Sequence, residues 1–214
     1  MTKIFVSNLT GKLEDFKAIS TNTLSNKFCL AMHKKSKENV ICTKCYSWRM
    51  LQTYRKNVAK ALQRNSDALS KRILDKKDLP VIRDLDFRFN AHGELINSTH
   101  LENLVNIVNH NPRTTFSLYT KRKDLILDYF ESPDFPNWRY PEYKVKPKNL
   151  IIVWSNPKIN HVRKTVPHSY VIDKVFNTVA SEHYLENCTG QKCRDCLICY
   201  DKNKTNIIVE RVKK

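Results

Sequence analysis

Apolar residues along this chain recur at two different periods, and the switches between them mark out its elements. Ile4 to Val6 reads as a short strand, and residues 10–28 are polar and fit neither period. Leu51, Tyr54, Val58, Ala61 and Leu62 recur at helical spacing, with Arg49, Arg55, Lys56, Lys60 and Arg64 on the other faces. Ser66 or Asp67 is placed to cap a second helical piece through Leu69, Ile73 and Leu74. The period then changes: Leu85, Phe87 and Phe89 alternate with Asp86, Arg88 and Asn90, which predicts a half-buried strand with Ala91–Asn97 as its exit loop. Thr99 and Glu102 make a T-x-x-E capping box, and the helix behind it carries Leu101, Leu104, Val105 and Val108 and stops before Pro112. "TTFSLYT" predicts the next strand, and Leu125, Ile126, Tyr129 and Phe130 a short helix. Residues 132–148 hold four prolines and read as an ordered loop or lid. "NLIIVWS" is a buried strand by its apolar run, and "TNIIVERV" a strand near the end of the chain. Residues 170–180 fit either period: Tyr170 to Val175 favours strand, while Ile172, Val175, Phe176 and Val179 fit a helix.

Strand, helix, strand, helix, strand implies parallel pairing with right-handed crossovers. The expected fold is α/β, either a partial (βα) barrel or an open, mostly parallel sheet, with a C-terminal cysteine-rich metal-binding segment. There are too few βα units for an eight-fold barrel. A chain of 214 residues fits a single domain over 1–214, with the cysteine segment 186–201 inside it. Function is expected at the carboxyl ends of the strands, where His92, Gly93 and Glu94 leave one of them.

Chemistry narrows the picture. Only Gly11, Gly93 and Gly190 are glycines, too few for a Walker loop or a G-x-G-x-x-G turn. No stretch approaches the ~20 apolar residues that cross a bilayer, and "MTKIFVSNLTGKLEDF" shows no signal-peptide core. A reducing, cytoplasmic compartment is the expectation, where clustered cysteines mean metal or redox chemistry rather than disulfides. A formal charge of +17 points to nucleic acid as a partner, against the plain alternative of a charged surface without one.

Seven cysteines fall into two groups. Cys29, Cys42 and Cys45 stand in a C-x12-C-x2-C order, and Cys188, Cys193, Cys196 and Cys199 in "CTGQKCRDCLICY". Three thiolates leave one position of a four-iron cluster open to a small molecule; four close a site. In the first group His33 offers a Cys3His zinc set as an equal alternative. The C-x2-C-x2-C run favours an iron–sulfur cluster, with Cys188 as the fourth ligand, over zinc. A centre drawing on both groups stays open.

Glu94 is placed to hold an amino group or act as a base, and Gly93 would let backbone approach a ligand; the plain alternative is a turn with an exposed acid. Asp86, Arg88 and Asn90 share one strand face, either pocket lining or a solvated side. Basic and aromatic residues interleave over 46–64 and in "YTKRK", which suits single-stranded nucleic acid or, with Trp48 and Tyr54 in the core, an ordinary charged helix face. His100, His110, His161, His168 and His183 show no metal spacing and read as surface or core residues.

These segments together, "CTKCYSW", "TYRKNVAKALQRN", "FRFNAHGEL", "TFSLYTKR" and the cysteine tail, resemble a bacteriophage family, the gene-product-88-like proteins, over about Cys29 to Tyr200. That resemblance implies a viral protein in the cytoplasm of an infected bacterium, with a host protein as another possible partner. A weaker resemblance is to radical S-adenosylmethionine enzymes. It implies Cys29, Cys42 and Cys45 as ligands of an open 4Fe-4S cluster, His92-Gly93-Glu94 as the motif binding the amino group of S-adenosylmethionine, and the tail cysteines as an auxiliary cluster. The sequence departs from that pattern: the usual triplet is C-x3-C-x2-C, and His92 replaces one glycine. The function expected is an iron–sulfur protein with a radical-enzyme-like fold, acting on or near nucleic acid. Its alternative is a non-enzymatic zinc protein that binds nucleic acid or a host protein.

Overall fold

In the computed structural model, Phe87 and Phe89 are buried on one face of a strand while Arg88 points to the other, as a period of two requires. The structure describes residues 3–35, 39–131, 144–166, 169–180 and 184–212. Among these the strands are β1 (Ser7–Asn8), β2 (Lys17–Ile19), β3 (Asp86–Phe89), β4 (Thr115–Thr120), β5 (Leu150–Ile159), β6 (Lys174–Val179) and β7 (Ile207–Arg211). The helices are α1 (Lys27–His33), α2 (Tyr46–Gln52), α3 (Lys56–Lys71), α4 (Ser98–His110), α5 (Lys123–Phe130) and the single turn α6 (Cys193–Cys196).

All seven strands join one sheet in the order β1-β2-β3-β4-β5-β6-β7. β1 runs antiparallel to β2, and every later neighbour pair is parallel. A doubly wound sheet reverses its strand order at a switch point. Here each strand lies beside its sequence neighbours throughout, which is barrel order in an open sheet.

Alternation gives the sheet two distinct faces. Ile19, Phe87, Phe89, Phe116, Leu118, Leu150 and Ile152 pack with Leu69 of α3, Leu101 and Leu104 of α4, and Ile126 of α5 in one core. Phe89 stacks on Phe116 with centroids 5.1 Å apart. Each fully buried ring of this kind contributes about 1.5–3 kcal/mol. The opposite face carries Tyr119, Ile151, Val153 and Ile208, and the cysteine tail packs there through Cys188, Ile198 and Cys199. α3, α4 and α5 thus cover one side of the sheet and the tail covers the other. No described helix is long and apolar enough to cross a membrane.

Several local expectations change. The first strand pairs at Ser7–Asn8, not 4–6, because Ile4 turns into the core and Val6 packs against it. The expected helix around Tyr54 is two helices, broken at 53–55, and Tyr54 is 76% exposed. No second helix starts at Ser66: α3 runs through it, and Ser66 Oγ donates to Leu62 O one turn back. Leu85 lies outside β3 and is exposed. α4 is capped by Asn97 rather than by the Thr99–Glu102 box, since Asn97 Oδ1 already accepts from His100 N (2.9 Å). Within 170–180 the strand wins, over 174–179. The proline loop falls mostly outside the described residues, as do His168 and His183.

Candidate functional site

The exits of β2, β3 and β4 lie side by side, and a polar run after β2 binds them together. Ser20, Thr21, Asn22, Thr23 and Asn26 are all buried. Buried side chains of this type must find partners, or each costs about 1–3 kcal/mol. They find them in the loop after β3. Thr21 N donates to His92 O (3.1 Å), Thr21 Oγ1 to Glu94 O (3.1 Å), and Glu94 N to Thr21 Oγ1 (3.2 Å). Gly93 N donates to Thr23 Oγ1 (3.0 Å), and His92 N to Ser20 Oγ (3.2 Å). Gly93 has φ +76, and a Cβ there would fall on the Thr21 backbone, so glycine is required for both conformation and space.

Asn26 carries this network to the first cysteine. Its Oδ1 caps α1 by accepting from Cys29 N (3.1 Å), while its Nδ2 donates to Glu94 O (3.0 Å). Cys42 and Cys45 follow in the short turn before α2. Ser47 of α2 pairs with Thr23 Oγ1 (2.7 Å) and with His92 Nδ1 (3.1 Å), which ties that turn to the same loop. His33 stacks on Trp48 at 4.2 Å and its Nδ1 lies 3.1 Å from Cys42 O.

Glu94 is 3% exposed, so the exposed-turn alternative is wrong. Its Oε1 accepts from Leu95 N (2.9 Å) and Thr120 Oγ1 (2.6 Å), and its Oε2 from Lys121 N (2.8 Å). A carboxylate offers about four acceptor positions, so Oε2 keeps one. Burial raises the Glu94 pKa, against the Lys121 charge and these hydrogen bonds. Burial also raises the thiols of Cys29 and Cys42; Glu94 adds to the rise at both, and Lys121 opposes it. Lys121 responds in the opposite sense: burial works against its charge, but Cys42, Glu94, Cys45 and Cys29 raise its pKa on balance. Burial, followed by Arg88 and Arg55, lowers His92 to about 4, so its ring is neutral at neutral pH.

The tail is held differently. Asn187 pairs with the free edge of β7 through its side chain: Nδ2 donates to Ile207 O (2.8 Å) and Oδ1 accepts from Val209 N (2.8 Å). From there Cys188, Cys193, Cys196 and Cys199 line one cavity with Gln191, Leu197, Ile198, Tyr200 and Ile208. Three of the four sulfurs lie within hydrogen-bond distance of a polar group. Lys12 Nζ lies 3.4 Å from Cys188, Gln191 Nε2 3.4 Å from Cys196, and Tyr119 Oη 2.7 Å from Cys199. Burial raises Cys193 to about 11 and also raises Cys199, against the Tyr119 hydrogen bond. Arg88 stacks on Tyr119 at 3.8 Å, and its Nε, with Ser117 Oγ and Tyr200 Oη, is buried with no hydrogen-bond partner. Asn90, whose Nδ2 donates to Tyr119 O (3.1 Å), is buried, while Arg88 and Asp86 on the same face are half-buried, with Arg88 Nε enclosed.

All seven cysteines are free thiols. Among the described residues no three His, Cys, Asp or Glu side chains are posed to hold a single metal ion. The Cys29, His33, Cys42 and Cys45 set is accordingly not assembled as a chelate. Sequence reasoning missed the 20–26 segment and Lys12, and singled out Tyr119 and Lys121 only as part of the basic, aromatic run "YTKRK". The first had a signal in its run of Ser, Thr and Asn; Lys12 had none. His100 is a core residue, with Nδ1 accepting from Ile96 N (3.2 Å).

The fold and these positions define a mixed α/β protein with a mostly parallel sheet, free thiols gathered at its strand exits and four more on its tail-covered face. The family model for gene product 88 matches residues 18–202, and the chain belongs to that family. No match is found among curated proteins or among solved structures.

Proposed function

We propose that this protein binds two iron–sulfur clusters, one at each group of thiols, and has the layout of a radical S-adenosylmethionine enzyme. The observation that carries the reading is the surroundings of the tail thiols. Four cysteines share one cavity, an ammonium and an amide each direct a hydrogen to a sulfur, and a phenol lies within hydrogen-bond distance of a third. Donors outside a thiolate site stabilise its negative charge and tune the metal it holds. Arg88, half-buried on the same face and lacking a carboxylate partner among the described residues, adds positive charge nearby.

Iron–sulfur is favoured over zinc on spacing. Three cysteines in C-x2-C-x2-C after Cys188 suit one compact cluster, whereas zinc sites usually present two C-x2-C pairs split by a longer loop. The strand order supports the enzyme-like layout. The three-cysteine loop follows the first parallel strand, β2, and His92-Gly93-Glu94 follows the second, β3.

A cluster held by Cys29, Cys42 and Cys45 supplies one-electron chemistry and an iron free to take a small-molecule ligand. The chain's own groups do the rest. Glu94 keeps one acceptor position on Oε2 for an amino group of S-adenosylmethionine. Lys121 balances the charge of the thiolates. The 20–26 network holds the loop fixed while ligands exchange. Protein expressed and purified without air is expected to be brown, with iron, acid-labile sulfide and visible thiolate-to-iron absorbance, and to lose much of that colour in Cys196→Ala. Stoichiometric zinc without iron or sulfide would end the proposal.

A further inference from the structure

From Asn39 to Ser66 the chain contains no Asp or Glu, yet it holds Lys44, Arg49, Arg55, Lys56, Lys60 and Arg64. All but the half-buried Arg55 are exposed. None of the six forms an ion pair among the described residues. Acids return one turn past Arg64, and ion pairing returns with them: Lys71 meets Asp67 at 3.2 Å. Lys56, Lys60 and Arg64 stand at i, i+4 and i+8 on α3, one straight stripe of like charge. Like charges at that spacing repel and weaken the helix by a few tenths of a kcal/mol per pair. A row of phosphates would turn that repulsion into attraction.

Tyr54 sets the class of polyanion. It sits in the turn between α2 and α3, 76% exposed, directly N-terminal to the stripe. Buried on no face of its own, an aromatic ring beside a row of cations offers a stacking platform, which is how proteins hold single strands without reading sequence. Duplex ends its stacking inside the helix and gives an isolated ring little to meet.

We infer that the outer face of α3 and the α2–α3 turn bind a single nucleic-acid strand, with Lys56, Lys60 and Arg64 on phosphates and Tyr54 stacked on a base. The inference rests on this surface and not on the metal reading.

The test is fluorescence anisotropy with a labelled oligothymidylate of about 20 nucleotides, titrated over a range of salt concentrations. Removing three phosphate contacts in K56Q/K60Q/R64Q should lower the slope of log K against log salt by about 2, at ~0.7 per contact. Tyr54→Ala should weaken binding about tenfold or more, the lower part of the stacking range. Since these side chains have no ion-pair partner among the described residues, the triple variant should melt at or slightly above the wild-type temperature. Cys196→Ala should bind as wild type does, which separates this result from the fate of the metal proposal. An unchanged salt slope in the triple variant would overturn the inference. So would tighter binding of poly-glutamate than of the oligonucleotide, which would mark an acidic protein as the partner. Equal binding of duplex together with no effect of Tyr54→Ala would overturn the single-strand assignment.

Discussion

The two groups of thiols share one sheet but are supported in opposite ways. Around Cys29, Cys42 and Cys45 the scaffold is a dense polar network of the protein's own groups. Buried hydroxyls and amides from 20–26 bond to His92, Gly93 and Glu94, and Asn26 joins that network to Cys29. Around the tail cysteines the secondary structure is one turn, α6, and a single bridge from Cys188 to Glu210 of β7, where Asn187 also borrows the strand edge with its side chain. What surrounds those sulfurs is mostly apolar, Leu197, Ile198 and Ile208, with Lys12, Gln191 and Tyr119 as the polar neighbours. The first region reads as a preformed cradle. The second reads as a segment whose order depends on what its thiols hold.

Substitution at Gly93 should break the cradle most. Gly93→Ala would put a Cβ on the Thr21 backbone at a left-handed φ. A loss of roughly 2–4 kcal/mol is expected by urea unfolding, with or without metal. The tail should show the reverse sensitivity. Stripping metal should speed amide exchange over 186–201 about a hundredfold, roughly 2.7 kcal/mol of local stability, and leave 20–26 and 92–95 protected. Equal loss of protection in both regions would erase the distinction.

The helix side of the sheet supplies a pH test that involves neither group of thiols. Burial lowers His100 to about 3 from an ordinary 6.5. The unfolded chain therefore binds the extra proton first, and stability falls as pH drops from 6.5 towards 3. At pH 5 the loss relative to pH 7 is roughly 2 kcal/mol for this one group. His100→Gln keeps an acceptor for Ile96 N and should reduce the measured loss by about that amount. The smallest effect expected is at Tyr119. Tyr119→Phe removes the donor to Cys199, worth about 1 kcal/mol, and should make the tail centre harder to reduce by roughly 40 mV. An unchanged potential would mean the phenol does not face a metal-bound sulfur.

Periodicity made most of the sheet legible, though not β2, which lies in the polar run 10–28. Phe87 and Phe89 against Arg88, and the apolar run at 150–153, gave strands and their parallel order without further help. Boundaries failed where one side chain outbid a pattern: Asn97 displaced the Thr99–Glu102 box, and Ile4 chose the core over the strand. The cysteine spacing located the two groups, and Glu94 was visible from its place after β3. Its partners were not. Thr21, Asn26 and Lys121 come from segments up to about 100 residues apart in sequence, and only the parallel register of β2, β3 and β4 brings them together.

The most direct test counts iron and sulfide, without air, in wild type and in two variants: one with Cys29, Cys42 and Cys45 changed to Ser, the other with Cys188, Cys193, Cys196 and Cys199 changed to Ser. Two separate centres predict that each variant keeps the other's share, and that the two shares sum to the wild-type content. Loss of all metal in both variants would mean a single shared centre, and no iron in any of the three would contradict the account at its root.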